Sequence, residues 1–174
     1  MNATPRPPTT SSPAFAPGGE IPALFTCEGR DLSPALAWTG VPEAAKSLVL
    51  IVDDPDAPDP KAPKMTWIHW VLYNLPKATR GLPEAIAPKD LPAGTKEGTN
   101  DWKRTGYGGP CPPIGRHRYF HKLYALDAAT GEEAWRFTAG TGCGELDGMP
   151  PGLCAFDGER NQIEKQLASD DAFR

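Results

Sequence analysis

Three short segments of this chain hold side chains able to do chemistry together: Asp53-Asp54-Pro55-Asp56-Ala57-Pro58, Trp67-Ile68-His69-Trp70, and the stretch from Gly108 to Tyr119, which reads GGPCPPIGRHRY. Brought to one place, they would supply carboxylates, two imidazoles and a stiff glycine-proline loop, the lining of a small polar cavity suited to an anion. A carboxylate beside an imidazole favours the imidazolium, a charged donor for phosphate or carboxylate. The same pair can serve as a general base, and the residues alone leave both uses open.

Taken one at a time, the segments are less telling. Asp54 and Asp56 between prolines also suit an ordinary acidic turn, in which the aspartates cap neighbouring N–H groups. His69 lies inside an aromatic run, where a lone histidine is usually a satisfied core residue. His117 differs, because it follows a glycine-rich loop, is flanked by Arg116 and Arg118, and opens a strand-like run. The loop itself is no phosphate cradle of the P-loop kind: Pro110, Pro112 and Pro113 remove N–H donors, and no lysine follows Gly115. A cysteine-phosphatase loop would place arginine six positions after Cys111, where this chain has His117, so Cys111 is not read as a nucleophile. Arg116 and Arg118 read as solvated residues, and Trp38, Trp70, Trp102 and Trp135 as core or rim aromatics.

The elements that must position these groups are strands. Twenty-one prolines and eighteen glycines in 174 residues argue against long helices. Strands are expected at Leu36 to Trp38, Ser47 to Val52, Thr66 to Tyr73 and Arg118 to Leu126, joined by long loops. Strict alternation puts Trp67, His69, Val71 and Tyr73 on one face and Ile68, Trp70 and Leu72 on the other; likewise His117, Tyr119 and His121 share a face. One helix is expected at Asn161 to Ala168, where Ile163 and Leu167 stand four apart. Residues 1–12 read as a flexible polar tail and 13–174 as a single domain. The length is right for one core.

A net charge of -4, with lysines and arginines scattered, gives no footprint for a phosphate backbone, so no nucleic-acid partner is expected. Mean hydropathy is -0.45 and no run approaches the roughly 20 apolar residues of a membrane span. Met1 to Ser12 lacks the apolar core of a secretory signal, which makes the cytoplasm the expected location. Cys27, Cys111, Cys143 and Cys154 match no zinc spacing and are read as free thiols.

The order and spacing of the blocks Asp54-Pro55-Asp56-Ala57-Pro58, Trp67-x-His69, Gly109-x-x-Pro112-Pro113 and His117-Arg118-Tyr119 resemble the signature of the phosphatidylethanolamine-binding protein family. The upstream stretches Ser12-Pro13-Ala14-Phe15, Cys27-Glu28-Gly29 and Leu32-Ser33-Pro34 look like its bacterial and archaeal branch, often called Raf kinase inhibitor-like. The likeness runs from about Ser12 to Trp135. It implies a mainly β fold, a large antiparallel sheet packed on a smaller one in a Greek-key arrangement. It implies a pocket lined by Asp54, Asp56, Pro58, Trp67, His69, Gly109, Pro112, His117 and Tyr119 that takes phosphate-like or carboxylate anions, including phospholipid headgroups in some members. It also leans towards a cis peptide at Ala57-Pro58. Bacterial members usually close with a helix and a Gly-Thr-Tyr segment, which residues 138–174 lack, so this end reads as atypical.

The favoured function is a non-enzymatic protein that binds a small anion or a phosphorylated group, modulating a partner such as a kinase, with homodimer formation left open. No cofactor, metal or catalytic residue is assigned. The alternatives are a small hydrolase using a His/Asp pair and a metal site of His69, His117 and a carboxylate.

Overall fold

The computed structural model describes residues 9–126 and, for residues 133–141, the backbone. In chain order the strands are β1 (Thr9–Ser11), β2 (Leu36–Thr39), β3 (Ser47–Ala57), β4 (Met65–Pro76), β5 (Gly81–Leu82), β6 (Lys96–Glu97), β7 (Tyr119–Leu126) and β8 (Glu133–Thr141). They form a five-stranded sheet ordered β6-β4-β3-β7-β8 and a three-stranded sheet ordered β1-β2-β5, every pair antiparallel. Helix among the described residues is confined to single 3-10 turns at Ala23–Phe25 and Pro88–Asp90. The architecture is mainly β, as the proline and glycine content demands.

β3 is the spine. Leu48, Leu50 and Val52 pack with Leu36 and Trp38 of the small sheet and with Trp70, Leu72, Leu75, Leu123 and Ala125 of the large one. On the other face Val49 and Ile51 pack with Tyr124, Ile68 and Tyr73. A strand covered on both faces must be apolar at consecutive positions, which is why Leu48 to Val52 reads as an unbroken run. Trp38 can be fully buried because its indole N–H donates to the Thr79 carbonyl at 2.8 Å.

Strict alternation fails in β4. Val52 stands opposite Trp70 and Asp53 opposite Ile68, so His69 has no counterpart across the pair. This bulge turns Ile68 onto the face of Tyr73, whereas Trp70 and Leu72 enter the main core. The expected set of Ile68, Trp70 and Leu72 is therefore divided. Further offsets fall between Leu48 and Leu50 and between Asp54 and Ala57, the second at the acidic end of β3.

Two other expectations are corrected. Thr9–Ser11, read as part of a frayed tail, pairs with Ala37 to Thr39 as β1. Cys27 and Cys111 are joined in a disulfide, with no free cysteine among the described residues, so the reading of both as free thiols falls. Disulfides persist chiefly in oxidising environments. Cys143, Cys154, the helix expected at Asn161 to Ala168 and the atypical ending beyond Thr141 lie outside the described residues. Among the described residues no helix is long and apolar enough to cross a membrane.

The disulfide closes a loop spanning 84 positions. In the chain-entropy account a closure of that length restricts the unfolded state by about 4–5 kcal/mol. The double variant Cys27→Ser/Cys111→Ser is expected to lose up to that much in urea unfolding, and the wild type to lose as much on reduction. Unchanged unfolding midpoints in both would contradict this.

Candidate functional site

The site forms where β3 and β7 end together. Beyond Val52 the chain places three aspartates, and each meets a different cation. Asp53 turns to the face opposite the main core and pairs with Lys122 at 2.6 Å, both side chains buried. Asp54 faces inward, where its Oδ2 lies 2.7 Å from His117 Nδ1 while Oδ1 accepts the Asp56 N–H at 2.8 Å. Asp56 receives the Arg118 guanidinium in two-pronged fashion, Nη2 to Oδ1 at 2.7 Å and Nε to Oδ2 at 2.9 Å, and accepts the Arg118 amide as well. Burial pushes the Asp56 carboxyl up, yet the bonds and charge of Arg118 outweigh it and leave the group below the ordinary aspartate value. Arg118, read from sequence as solvated, is thus half of the turn's main tie.

Both ring nitrogens of His117 face oxygen acceptors. Nδ1 meets the Asp54 carboxylate and Nε2 the Ile114 carbonyl at 3.0 Å. Neither acceptor can donate, so the doubly protonated ring satisfies both contacts.

His69 is held differently. Its Nδ1 is 2.7 Å from the Gly108 carbonyl, and a carbonyl only accepts, so Nδ1 carries the proton. Its Nε2 is buried and has no hydrogen-bond partner. Burial lowers the pKa of His69, against the opposing pull of the Gly108 carbonyl and of Asp54, and keeps the ring neutral. Tyr119 links the two imidazoles: its ring stands perpendicular to His69 with centroids 5.2 Å apart and stacks on His117 at 6.4 Å. Both histidines therefore flank the same Tyr119 ring.

A loop that sequence reasoning passed over completes the surroundings. The Asn100 side chain accepts the Trp102 amide at 3.0 Å and donates to the Gly106 carbonyl at 3.0 Å, shaping a tight turn. Asp101 clasps Ile68 from both sides, accepting its N–H at 2.7 Å and donating to its carbonyl at 3.0 Å. Trp102 is thereby set edge-to-face on Trp67 (5.5 Å) and on His69 (5.0 Å). The available signal was the Asn-Asp pair, turn chemistry directly before an aromatic.

The Gly108–Gly115 loop is fastened to the segment after β1. The Gly109 N–H donates to Asp31 Oδ1 at 2.6 Å, Tyr107 Oη donates to the Phe25 carbonyl at 2.9 Å, and the Cys27 N–H donates to the Pro110 carbonyl at 3.0 Å beside the disulfide. A Cβ on Gly109 would stand against the Phe25 carbonyl and 2.5 Å from Asp31 Oδ1, so only glycine fits. Outside this seam opens a cleft of about 580 Å³ lined by Glu20, Cys111, Pro112, Arg116, His117 and Tyr119, among others.

Of the residues expected in the pocket, Asp54, His69, His117 and Tyr119 form one cluster, and Trp67 joins through Trp102. Pro112 lines the cleft. Gly109 serves the seam and Asp56 the Arg118 tie. Pro58 is exposed at the end of β3, where the Ala57-Pro58 peptide is cis, as expected. His121, two residues beyond Tyr119, is buried beneath, its ring 6.0 Å from that of Phe15.

Burial and the neighbouring His69 lower the pKa of His121 to about 4. The unfolded chain binds a proton there below about pH 6.5, so the stability is complete above that pH and is lost as pH falls towards 4. His69 acts in the same sense. Unfolding free energy is expected to drop between pH 7 and pH 4.5, by about 1.4 kcal/mol per pH unit for each buried neutral histidine. His121→Gln should flatten that slope in urea titrations; an equally steep variant would refute the assignment.

Comparison with known proteins agrees with this arrangement. The family model for phosphatidylethanolamine-binding proteins matches residues 11–151. A UPF0098 protein of Aquifex aeolicus is 43% identical over 159 residues, covering 90% of this chain and 81% of its own length. A UPF0098 protein of Methanothermobacter thermautotrophicus is 51% identical over 115 residues, 66% of this chain and 73% of its own. Among solved structures, a putative phosphatidylethanolamine-binding protein homologue from Chlamydia trachomatis superposes with a TM-score of 0.62 at 40% identity, covering 70% of this chain and 76% of that one. E. coli YbcL, described as a new member of the mammalian family, also gives 0.62 at 36% identity, over 70% and 78% of the two chains. With the matched segment spanning every strand that builds the site, the chain belongs to the phosphatidylethanolamine-binding protein family.

Proposed function

We propose that this protein is a non-enzymatic binder of small anions, phosphate or carboxylate, or of a phosphorylated group on a partner such as a kinase. The observation that carries the reading is the His117 ring, its two nitrogens turned to Asp54 and to the Ile114 carbonyl. A ring that donates at both corners offers charge but no lone pair, which suits holding an anion and does not suit a general base or a metal ligand. Asp54 and Asp56 support the same reading. Both carboxylates are occupied by cations or amides within the fold, so neither presents bare negative charge to an incoming anion.

Ligand that binds only the folded state raises its stability. At 100-fold over Kd the gain is about 2.7 kcal/mol, which for a chain of this size raises Tm by roughly 5–10 °C. Phosphate, phosphorylethanolamine and acetate are the probes, in thermal unfolding at constant ionic strength. The expected result is a saturable rise that His117→Ala abolishes; no rise with any of the three would defeat the proposal.

A further inference from the structure

The Cys27–Cys111 disulfide stands where a reagent can reach it. Both residues are exposed, and both line the cleft of about 580 Å³. Neither belongs to a hydrophobic cluster: the main core runs from Leu36 and Trp38 to Leu123 and Ala125, and the second joins Val49, Ile51 and Tyr124. A disulfide in the interior yields to a reductant only when the chain opens, whereas an exposed one is within reach of a thiolate in the folded state and is the labile kind.

The bond belongs to a seam whose other ties are not covalent. The Cys27 N–H donates to the Pro110 carbonyl, the Gly109 N–H to Asp31 Oδ1, and Tyr107 Oη to the Phe25 carbonyl. With the sulfurs parted, these three hydrogen bonds still draw residues 107–111 towards 25–31, and prolines on both sides of Cys111 restrict its backbone. Two thiols kept close in this way reoxidise within the molecule, at a high effective concentration. Reduction therefore loosens the seam without dispersing it.

We propose that the Cys27–Cys111 bond is a thiol-exchange site of the folded protein, opened from the cleft by a dithiol reductant, and that its reduction loosens the cleft wall while both cores stay folded. In the first step a thiolate of the dithiol attacks one of the two sulfurs. A mixed disulfide forms, the Cys27–Cys111 bond breaks, and the other cysteine leaves as a thiolate and takes up a proton. The second thiol of the reductant then displaces the cysteine held in the mixed disulfide. Two electrons pass from the dithiol to the protein, the dithiol ends as a disulfide, and its two thiol protons end on Cys27 and Cys111. None of this depends on what the cleft binds.

The test is reduction of the full-length chain by dithiothreitol at pH 8, stopped by alkylation at intervals and read by peptide mass, which sets Cys27 and Cys111 apart from Cys143 and Cys154. Exchange in the folded state is expected at a rate unaltered by urea below the unfolding transition and within about a hundredfold of that in the urea-unfolded chain. Exchange gated by unfolding would be slower than in the unfolded chain by the folding equilibrium, about 10³-fold at least, and would accelerate with each addition of urea. In the reduced protein the emission of the buried Trp38 and Trp70 should be unchanged. The Gly109 and Cys27 amides, which donate across the seam, should exchange at least about tenfold faster than in the oxidised protein. Oxidised glutathione should then restore the bond. Reduction that follows the urea dependence of unfolding, loss of the buried-tryptophan emission on reduction, or unchanged exchange at both seam amides would each overturn the proposal and leave the bond a structural staple.

Discussion

Everything at this end of the molecule depends on how the acidic end of β3 meets the cationic start of β7. Three aspartates in four positions, all but wholly buried, would be ruinous without partners, because a carboxylate removed from water must be compensated by charge and hydrogen bonds. The compensation comes from one short stretch that runs into β7: Lys122 for Asp53, and just before the strand His117 for Asp54 and Arg118 for Asp56. Pairing Asp53 opposite Phe120 places Lys122 on the Asp53 face of the sheet. The offset between Asp54 and Ala57 is where β3 leaves its register with β4, and there Asp56 meets Arg118. Removing one cation would strand one buried carboxylate, so β3 can carry this sequence only while β7 lies beside it.

The second constraint is the bulge at His69. A residue without a counterpart across the strand pair is free to use its backbone and ring elsewhere, and His69 gives both to the loop after β6. Its carbonyl accepts the Gly108 amide at 3.0 Å and its Nδ1 donates back to the Gly108 carbonyl, while Asp101 makes the matching two-way contact with Ile68. The loop thus continues the work of a strand along the free edge of β4, without proline-barred amides where donors are needed. One extra residue in β4 accounts for the division of its aromatic face, for the fixed tautomer of His69 and for the place of Trp102 above it.

The sequence made the strands that hold the site legible because their runs are long and branched or aromatic. β3 and β4 extend beyond the expected spans, and β7 begins one residue later. Short strands such as β5 and β6 leave no periodic trace in two residues. The sharing of a face by His117, Tyr119 and His121 followed from alternation alone, and the partnership of Trp67 with His69 survived although the bulge broke the rule behind it. Three things stayed hidden for definite reasons. A disulfide across 84 positions has no local signature. Arg118 looks solvated until a carboxylate lies across the strand pair from it. The tautomer of His69 is set by a carbonyl 39 residues away, which nothing near His69 announces.

The wall of the cleft is built as part of the fold. Gly109 is tied to Asp31, Tyr107 to Phe25, and Cys27 to Pro110 and Cys111, so the loop carrying Pro112 is fastened at three points before any ligand arrives. Binding need not order that loop, and ordering is the cost that most often erodes affinity. A prefixed wall also cannot adapt its polarity. The histidines stand in opposite states at either side of Tyr119, His117 donating from both nitrogens and His69 presenting a lone pair, and the packing that holds each ring holds its state. The state of each ring is thus set by the backbone carbonyls of Gly108 and Ile114 as much as by the side chains named in the motifs.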